Sequence, residues 1–217
     1  AAPPEARLIL IFRNPVERTY SNYWMGYARG RTIDRFDEAI LQPQHRHLLA
    51  GSYYAEALER YLDAFPRDQL LLLMTDELRS APDAVRRRCY EHAGLDPDGV
   101  PETAGSGNDA QAQNAARVPR NLRLQRLLYS LLADKPEEEL HYDAQGRVAQ
   151  RQDTRVGLAG RAGLQLYRWA SALNTRPAKY PPINPVTAAR LQDLFRADIE
   201  RFSALSGLDT SAWLTPR

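Results

Sequence analysis

The stretch that most constrains the fold is LILIFRNPVERTYSNYW at residues 8–24, a continuous apolar run that stops at an arginine. Residues 7–12 predict a short strand buried on both faces, because the apolar residues follow one another instead of alternating with polar ones. Asn14 is a good helix N-cap, Pro15 suits the first helical position, and Glu17 stands at capping-box spacing. The stretch therefore predicts a buried strand followed at once by a helix.

The junction between this strand and this helix predicts an anion site. Arg13 follows the strand directly, and Ser21 lies about two turns into the helix. The carboxyl edge of an open α/β sheet is where ligands bind, and free backbone N–H groups at a helix N-terminus favour anions. An arginine can also hold a phosphate through two nitrogens. The spacing alone leaves an alternative open, with Arg13 in a structural ion pair and Ser21 as a surface serine.

The remaining pattern predicts one more strand and several helices. Residues 69–74 (QLLLLM) form a second continuous apolar run, and the preceding segment from Gly51 to Pro66 reads as an amphipathic helix. Further helices are expected over residues 82–93, 121–132, 163–174 and 185–206. Residues 134–160 read as irregular, and the small, polar residues 96–116 predict a mobile loop.

The chain length and the two expected strands bear on domain organisation. A chain of 217 residues suits a single domain. Two parallel strands do not make a stable open sheet, which usually has four to six strands. Either further strands lie in the expected loops or the chain lacks its N-terminal part. We expect the second, with residues 1–217 forming one N-terminally incomplete domain.

Composition excludes some classes of function. The formal net charge of +2 gives no overall field that would attract nucleic acid. Cys89 is the only cysteine, so no disulfide forms within the chain, which favours a cytoplasmic location. No apolar run approaches the length of a membrane span, and the N-terminus lacks a signal-peptide pattern.

The segment RNPVERTYSNY at residues 13–23 resembles the 3′-phosphate-binding motif of sulfotransferases that use 3′-phosphoadenosine 5′-phosphosulfate (PAPS). In that motif a strand, Arg-(Asp/Asn)-Pro, an arginine and Tyr-Ser follow in this order. The resemblance implies that Arg13 and Ser21 bind the 3′-phosphate of the donor. It also implies a P-loop-kinase-like α/β fold, with a parallel sheet flanked by helices.

Two further blocks carry the same resemblance. Residues 51–78 (GSYYAEALERYLDAFPRDQLLLLMTDEL) are similar to a family block in which a tyrosine contacts the adenine ring, and Tyr54 is the matching residue. The alternative is that Tyr53 and Tyr54 are core or surface aromatics at a helix start. Residues 181–214 are similar to the closing helix and Trp-containing tail of bacterial members.

The family resemblance implies a reaction and a missing part. PAPS would be the co-substrate, adenosine 3′,5′-bisphosphate the product, and no metal is required. The acceptor would be a hydroxyl or amine on a small molecule, a lipid or polyketide chain, or a carbohydrate. The family's 5′-phosphosulfate loop, which contains glycine, lysine and Ser/Thr, is not found in these 217 residues. We therefore expect no turnover by this chain alone.

Four more residues are weaker candidates. His45 and His47 could act on the acceptor side as a general base, although loop histidines without a role fit the pattern as well. A pair of histidines without a nearby third ligand does not predict a metal. Arg117 and Arg120 follow the expected mobile loop, where many sulfotransferases close a basic segment over the 3′-phosphate; a solvated helix start is the alternative.

Two other hypotheses compete with the enzyme. One is a non-catalytic nucleotide-binding or interaction module that derives from the same fold. The other is a different P-loop transferase or kinase, which is disfavoured because the phosphate loop that such enzymes need is also absent from the sequence.

Overall fold

The computed structural model describes residues 5–98, 117–132, 141–142, 148–150 and 158–215. The chain divides into two compact units, which are Ala1–Arg18 with Tyr53–Gln113 and Ala188–Arg217, and Thr19–Ser52 with Asn114–Thr187. The predicted mobile loop lies outside the described residues from position 99 onward, as does most of the segment predicted to be irregular. The single domain stays a prediction.

The first unit contains the parallel sheet. Strand β1 (Leu8–Phe12) pairs in parallel with β2 (Leu70–Met74), in a register that sets Leu8 opposite Leu70 and Phe12 opposite Met74. The helices of this unit are α4 (Ala55–Ala64), α5 (Thr75–Ser80), α6 (Pro82–Ala93) and most of α9 (Pro185–Ser206). Helix α1 (Pro15–Arg29) begins in the first unit and continues into the second. Both predicted strands are therefore present and parallel.

An aromatic cluster forms the core of the first unit. The ring of Phe12, at the end of β1, lies 4.6 Å from that of Phe202, which stacks on Trp213 at 5.7 Å between centroids. All three side chains are buried. A fully buried side chain of this size stabilises the fold by about 1.5–3 kcal/mol. The C-terminal helix and tail are thus part of the core that supports the sheet.

The prediction that the first strand is buried on both faces is not met in the described part of the chain. Side chains alternate along β1, and Ile9 and Ile11 are 42% and 53% exposed. Leu72 and Leu73 of β2 are buried on both of its faces. The apolar run fixes that this segment is a strand, whereas burial depends on which elements cover each face, and the described elements cover only one face of β1.

The second unit is mainly helical. It holds α2 (Phe36–Ala39), α3 (His47–Ala50), α7 (Leu122–Leu132) and α8 (Leu158–Asn174). Two short antiparallel pairs join β3 (Arg117–Pro119) to β6 (Thr175–Pro177) and β4 (His141–Tyr142) to β5 (Val148–Gln150). These strands have two or three residues each, too few for an apolar pattern to predict them.

Polar side chains join α7 to α8. Gln125 is fully buried, and its Nε2 donates to Ser171 Oγ at 2.7 Å while its Oε1 accepts from Asn174 Nδ2 at 2.9 Å. Buried amides of this kind need such partners. The helix predicted over residues 163–174 is present but begins earlier, at Leu158.

The predicted helix boundaries are confirmed at several ends. Asn14 Oδ1 accepts from the backbone N–H of Val16 at 2.9 Å, and Asn184 Oδ1 accepts from that of Val186 at 2.9 Å. Glycines with positive φ follow α1, α6 and α9; they are Gly30 (78°), Gly94 (74°) and Gly207 (72°). Asn-Pro starts and glycine ends are local signals, which is why the sequence predicts them well.

Over the described ranges, no helix is both long and apolar enough to cross a membrane.

Candidate functional site

Arg13 is the first residue after β1, at the carboxyl edge of the parallel sheet. Its Nε donates to Glu17 Oε2 at 3.2 Å, and its side chain is 32% exposed. Its two terminal nitrogens make no hydrogen bond or ion pair with the rest of the described chain. Glu17 thus holds the guanidinium by one nitrogen, and the pair of nitrogens that suits a phosphate or carboxylate is left for a ligand.

The first turn of α1 corrects one sequence expectation. Asn14 Oδ1 accepts from the backbone N–H groups of Val16, at 2.9 Å, and Glu17, at 3.4 Å, and Pro15 has no N–H. The backbone donors that we expected to be free for an anion are therefore used by the cap. The donors left for an anion at this edge are side chains, chiefly the guanidinium of Arg13.

Ser21 lies on α1 within the second unit. Its side chain is half-buried, and its hydroxyl has no hydrogen-bond partner among the described residues. Neighbouring aromatics fix this part of the helix, since Tyr20 Oη donates to Pro181 O at 2.8 Å and Trp24 stacks on Tyr180 at 4.7 Å. The helix therefore holds a free hydroxyl on a rigid backbone.

Tyr54 lies in the core of the first unit. Its side chain is 7% exposed, and its ring packs edge-on against Phe12 at 5.2 Å. Its hydroxyl donates to the backbone oxygen of Arg13 at 2.8 Å. Burial raises the pKa of Tyr54 to about 12, with nearby arginines opposing part of the shift. Tyr53 is the more exposed of the two tyrosines, at 39%.

Asp198 on α9 is a residue that the sequence reasoning missed. Its Oδ2 accepts from the N–H of Tyr54 at 2.7 Å and its Oδ1 from that of Ala55 at 3.2 Å, so it caps helix α4. Burial raises the pKa of Asp198, and the two backbone donors oppose that rise. No local signal pairs this aspartate with a helix start 144 residues away.

His45 is paired with a carboxylate in the second unit. Its Nε2 lies 3.2 Å from Asp34 Oδ2, and its side chain is 12% exposed. The ring of His47 lies edge-on to it, at 5.9 Å between centroids. A carboxylate on one ring nitrogen orients an imidazole and sets its tautomer, which leaves the other nitrogen for proton transfer. Sequence reasoning found the histidine and missed Asp34.

Arg117 and Arg120 differ in what they contact. Arg117 donates through Nε to Thr175 Oγ1 at 3.1 Å and through Nη2 to Thr175 O at 3.2 Å. Arg120 is exposed, and its backbone N–H donates to Asn174 O at 2.6 Å. Arg117 therefore supports the pairing of β3 with β6, while Arg120 presents its charge to solvent.

No group of three or more His, Cys, Asp or Glu side chains comes together as a metal site in the ranges that the structure describes.

A parallel β–α unit with an arginine at the carboxyl edge of the sheet is an arrangement typical of α/β proteins, which bind ligands at that edge. A family model described as the sulfotransferase domain matches residues 2–112, just over half of the 217-residue chain. The chain belongs to the sulfotransferase domain family. This confirms the family that the motif at residues 13–23 predicts.

Two similar curated proteins are named as enzymes that modify heparan sulfate. The bifunctional heparan sulfate N-deacetylase/N-sulfotransferase 2 of Homo sapiens is 30% identical over 107 residues, which cover 43% of this chain and 12% of that protein. The heparan sulfate glucosamine 3-O-sulfotransferase 3B1 of Mus musculus is 28% identical over 102 residues, 44% of this chain and 26% of that protein. The chain thus matches a minor part of the length of these relatives.

A solved structure extends the likeness along the chain. The sulfotransferase from Alicyclobacillus acidocaldarius has a TM-score of 0.59 and 20% identity, and the match covers 98% of this chain and 59% of that one. At this identity the likeness shows the fold. The predicted fold class, the P-loop-kinase-like α/β fold of sulfotransferases, is confirmed.

Proposed function

We propose that this protein is a sulfotransferase that moves a sulfuryl group from PAPS to a hydroxyl or amine, and that this chain carries the 3′-phosphate and adenine side of the donor site. Membership of the family supports the reaction class. The observation that supports the site is the hydrogen bonding of Arg13. Glu17 holds its Nε, and neither terminal nitrogen has a hydrogen-bond partner among the described residues. Arg13 and Ser21 bind the 3′-phosphate, as the motif implies.

The proposed chemistry requires positioning and charge neutralisation. The acceptor oxygen or nitrogen forms a bond to sulfur, and the bond from sulfur to the 5′-phosphate oxygen breaks. Adenosine 3′,5′-bisphosphate leaves as a polyanion, whose 3′-phosphate is held by the forked donors of Arg13. The acceptor proton passes to a general base. His45, oriented by Asp34, is the candidate for that base in this chain.

The names of the relatives favour a carbohydrate acceptor. By their names, both relatives act on heparan sulfate, one as an N-sulfotransferase and the other as a 3-O-sulfotransferase. We extend that acceptor class to this protein. A transfer assay with labelled PAPS, run on carbohydrate, lipid or polyketide and small-molecule acceptors, separates the three classes. Because we expect no turnover by this chain alone, the assay uses a form of the protein that includes a 5′-phosphosulfate loop. Nucleotide binding by that form without transfer to any acceptor would favour the non-catalytic module instead.

The remaining candidates stay predictions. An adenine contact by Tyr54 requires its buried ring to present an edge to the ligand. A 3′-phosphate contact by Arg117 requires it to release Thr175, and Arg120 could reach a ligand without such a change. The cytoplasmic location also stays a prediction.

The experiment for the site is calorimetric titration with adenosine 3′,5′-bisphosphate. Arg13→Ala should weaken binding by about 1.5–3 kcal/mol, which is the range for a charge-assisted hydrogen-bonded contact. Arg196→Ala is the matched control, since Arg196 forms an exposed ion pair with Asp193 in the same unit. Equal affinity of Arg13→Ala and wild type would show that the site is assigned to the wrong residue.

A further inference from the structure

The backbone oxygen of Arg13 is held by a tyrosine from another element. Arg13 is the first residue beyond β1, so its carbonyl lies where the sheet ladder ends. Tyr54 Oη donates to this oxygen at 2.8 Å. The orientation of the Arg13–Asn14 peptide sets the direction in which the arginine side chain leaves the strand. A hydrogen bond to this carbonyl therefore restrains the position of the Arg13 guanidinium through the backbone.

Tyr54 is itself held at both ends. Its ring is fixed in the core between Phe12, at 5.2 Å, and Phe202, at 5.6 Å. Its backbone N–H donates to Asp198 Oδ2 at 2.7 Å, so the start of helix α4 is tied to α9. The Tyr54 side chain is 7% exposed, and these restraints leave its hydroxyl a single position. The bond to Arg13 is thus a fixed feature of the first unit.

We propose that Tyr54 is a positioning residue for the 3′-phosphate site, whose hydroxyl aligns Arg13 by holding its backbone oxygen. This inference rests on the proposed function, because it takes Arg13 as a ligand of the 3′-phosphate. It differs from a direct adenine contact, in which the hydroxyl or ring would touch the base. In the structure the hydroxyl is already bonded to the chain.

The two roles of Tyr54 predict different nucleotide preferences. The ratio of affinities for adenosine 3′,5′-bisphosphate and adenosine 5′-phosphate isolates the contribution of the 3′-phosphate. Removing a hydroxyl that positions Arg13 lowers this ratio and leaves the affinity for adenosine 5′-phosphate unchanged. Removing a hydroxyl that touches adenine lowers the affinities for both nucleotides equally and leaves their ratio unchanged.

The test is calorimetric titration of wild type, Tyr54→Phe, Arg13→Ala and the double variant with both nucleotides. We expect Tyr54→Phe to lower the ratio about three- to tenfold, the range for one neutral hydrogen bond. We expect the double variant to have the same affinity ratio as Arg13→Ala, because the guanidinium that Tyr54 aligns is already absent. Tyr61→Phe is the control; Tyr61 lies on the same helix, is 41% exposed, and its hydroxyl has no partner in the described part of the chain.

The outcomes separate the two proposals. A wild-type ratio near one overturns the proposed function and the inference with it. A high wild-type ratio that Arg13→Ala abolishes and Tyr54→Phe leaves intact overturns the inference alone. Loss of thermal stability in Tyr54→Phe without a change of the affinity ratio would also overturn the inference alone. A hydroxyl that only stabilises the fold would not change the preference of the protein for one nucleotide over the other.

Discussion

Single residues carry the proposed chemistry, and sequence reasoning found some of them and not others. Arg13 and Ser21 lie in one short motif, so their order along the chain predicts them. Asp198 and Asp34 were missed, because each acts on a residue distant in sequence or outside any motif. Such partners are set by how elements pack, which a local pattern does not encode.

The hydroxyl of Ser21 provides the first prediction at this scale. Ser21→Ala should weaken the binding of adenosine 3′,5′-bisphosphate about tenfold, because one hydrogen bond to a charged group is lost. It should leave the binding of adenosine 5′-phosphate unchanged. Calorimetry with both nucleotides measures this. Ser130→Ala is a control at an exposed position of α7, where the hydroxyl bonds only its own helix. Equal losses for the two nucleotides would remove Ser21 from the 3′-phosphate site.

Asp198 provides a prediction on pH. Burial raises the pKa of this carboxyl above its ordinary value of 3.8, so the folded state binds its proton more tightly than the unfolded state does. The contribution of Asp198 to stability is therefore fully present below about pH 3.8 and is lost as pH rises through the raised pKa. Asp198→Asn should remove this dependence.

The measurement for Asp198 is urea unfolding of wild type and Asp198→Asn across this pH range. The free energy of unfolding of wild type, relative to the variant, should fall as pH increases. A relative stability of wild type that increases with pH would mean that the pKa of Asp198 is lowered by folding.

At the scale of elements, helix ends were predictable and strand burial was not. Asparagine caps and terminal glycines act within a few residues, and the helices predicted over residues 82–93 and 185–206 have those bounds in the structure. The burial of β1 depends on elements from other parts of the chain, and Ile9 and Ile11 are exposed. His92 illustrates the same limit, since its Nε2 lies 3.1 Å from Leu8 O and 3.2 Å from Gln69 O, a contact that no sequence signal indicated.

The end of α1 provides a prediction at the element scale. A Cβ at Gly30 would lie 2.6 Å from the backbone oxygen of Gln125, in addition to the cost of a φ of 78°. At Gly207, with a φ of 72°, a Cβ would have no atom within 4 Å. Gly207→Ala should therefore cost about 1–2 kcal/mol and Gly30→Ala clearly more. Chemical denaturation of the two variants gives the comparison, and equal costs would contradict the close approach of α7 to Gly30.

At the scale of the whole molecule, the sequence predicted the family and the parallel sheet from three blocks of residues. The family model and the likeness to a solved sulfotransferase confirm both. The antiparallel pairs of the second unit were not predicted, because strands of two or three residues have no period to detect. The acceptor class is open to sequence reasoning only through the names of relatives, because the motifs predict residues on the donor side alone.

The central claim is that this protein recognises the 3′-phosphate of an adenine nucleotide. Its most direct test is the affinity of the wild-type protein for adenosine 3′,5′-bisphosphate and for adenosine 5′-phosphate, measured by calorimetry in the same buffer. A phosphate held by Arg13 and Ser21 predicts at least about tenfold tighter binding of the bisphosphate. Equal affinity for the two nucleotides would contradict the account.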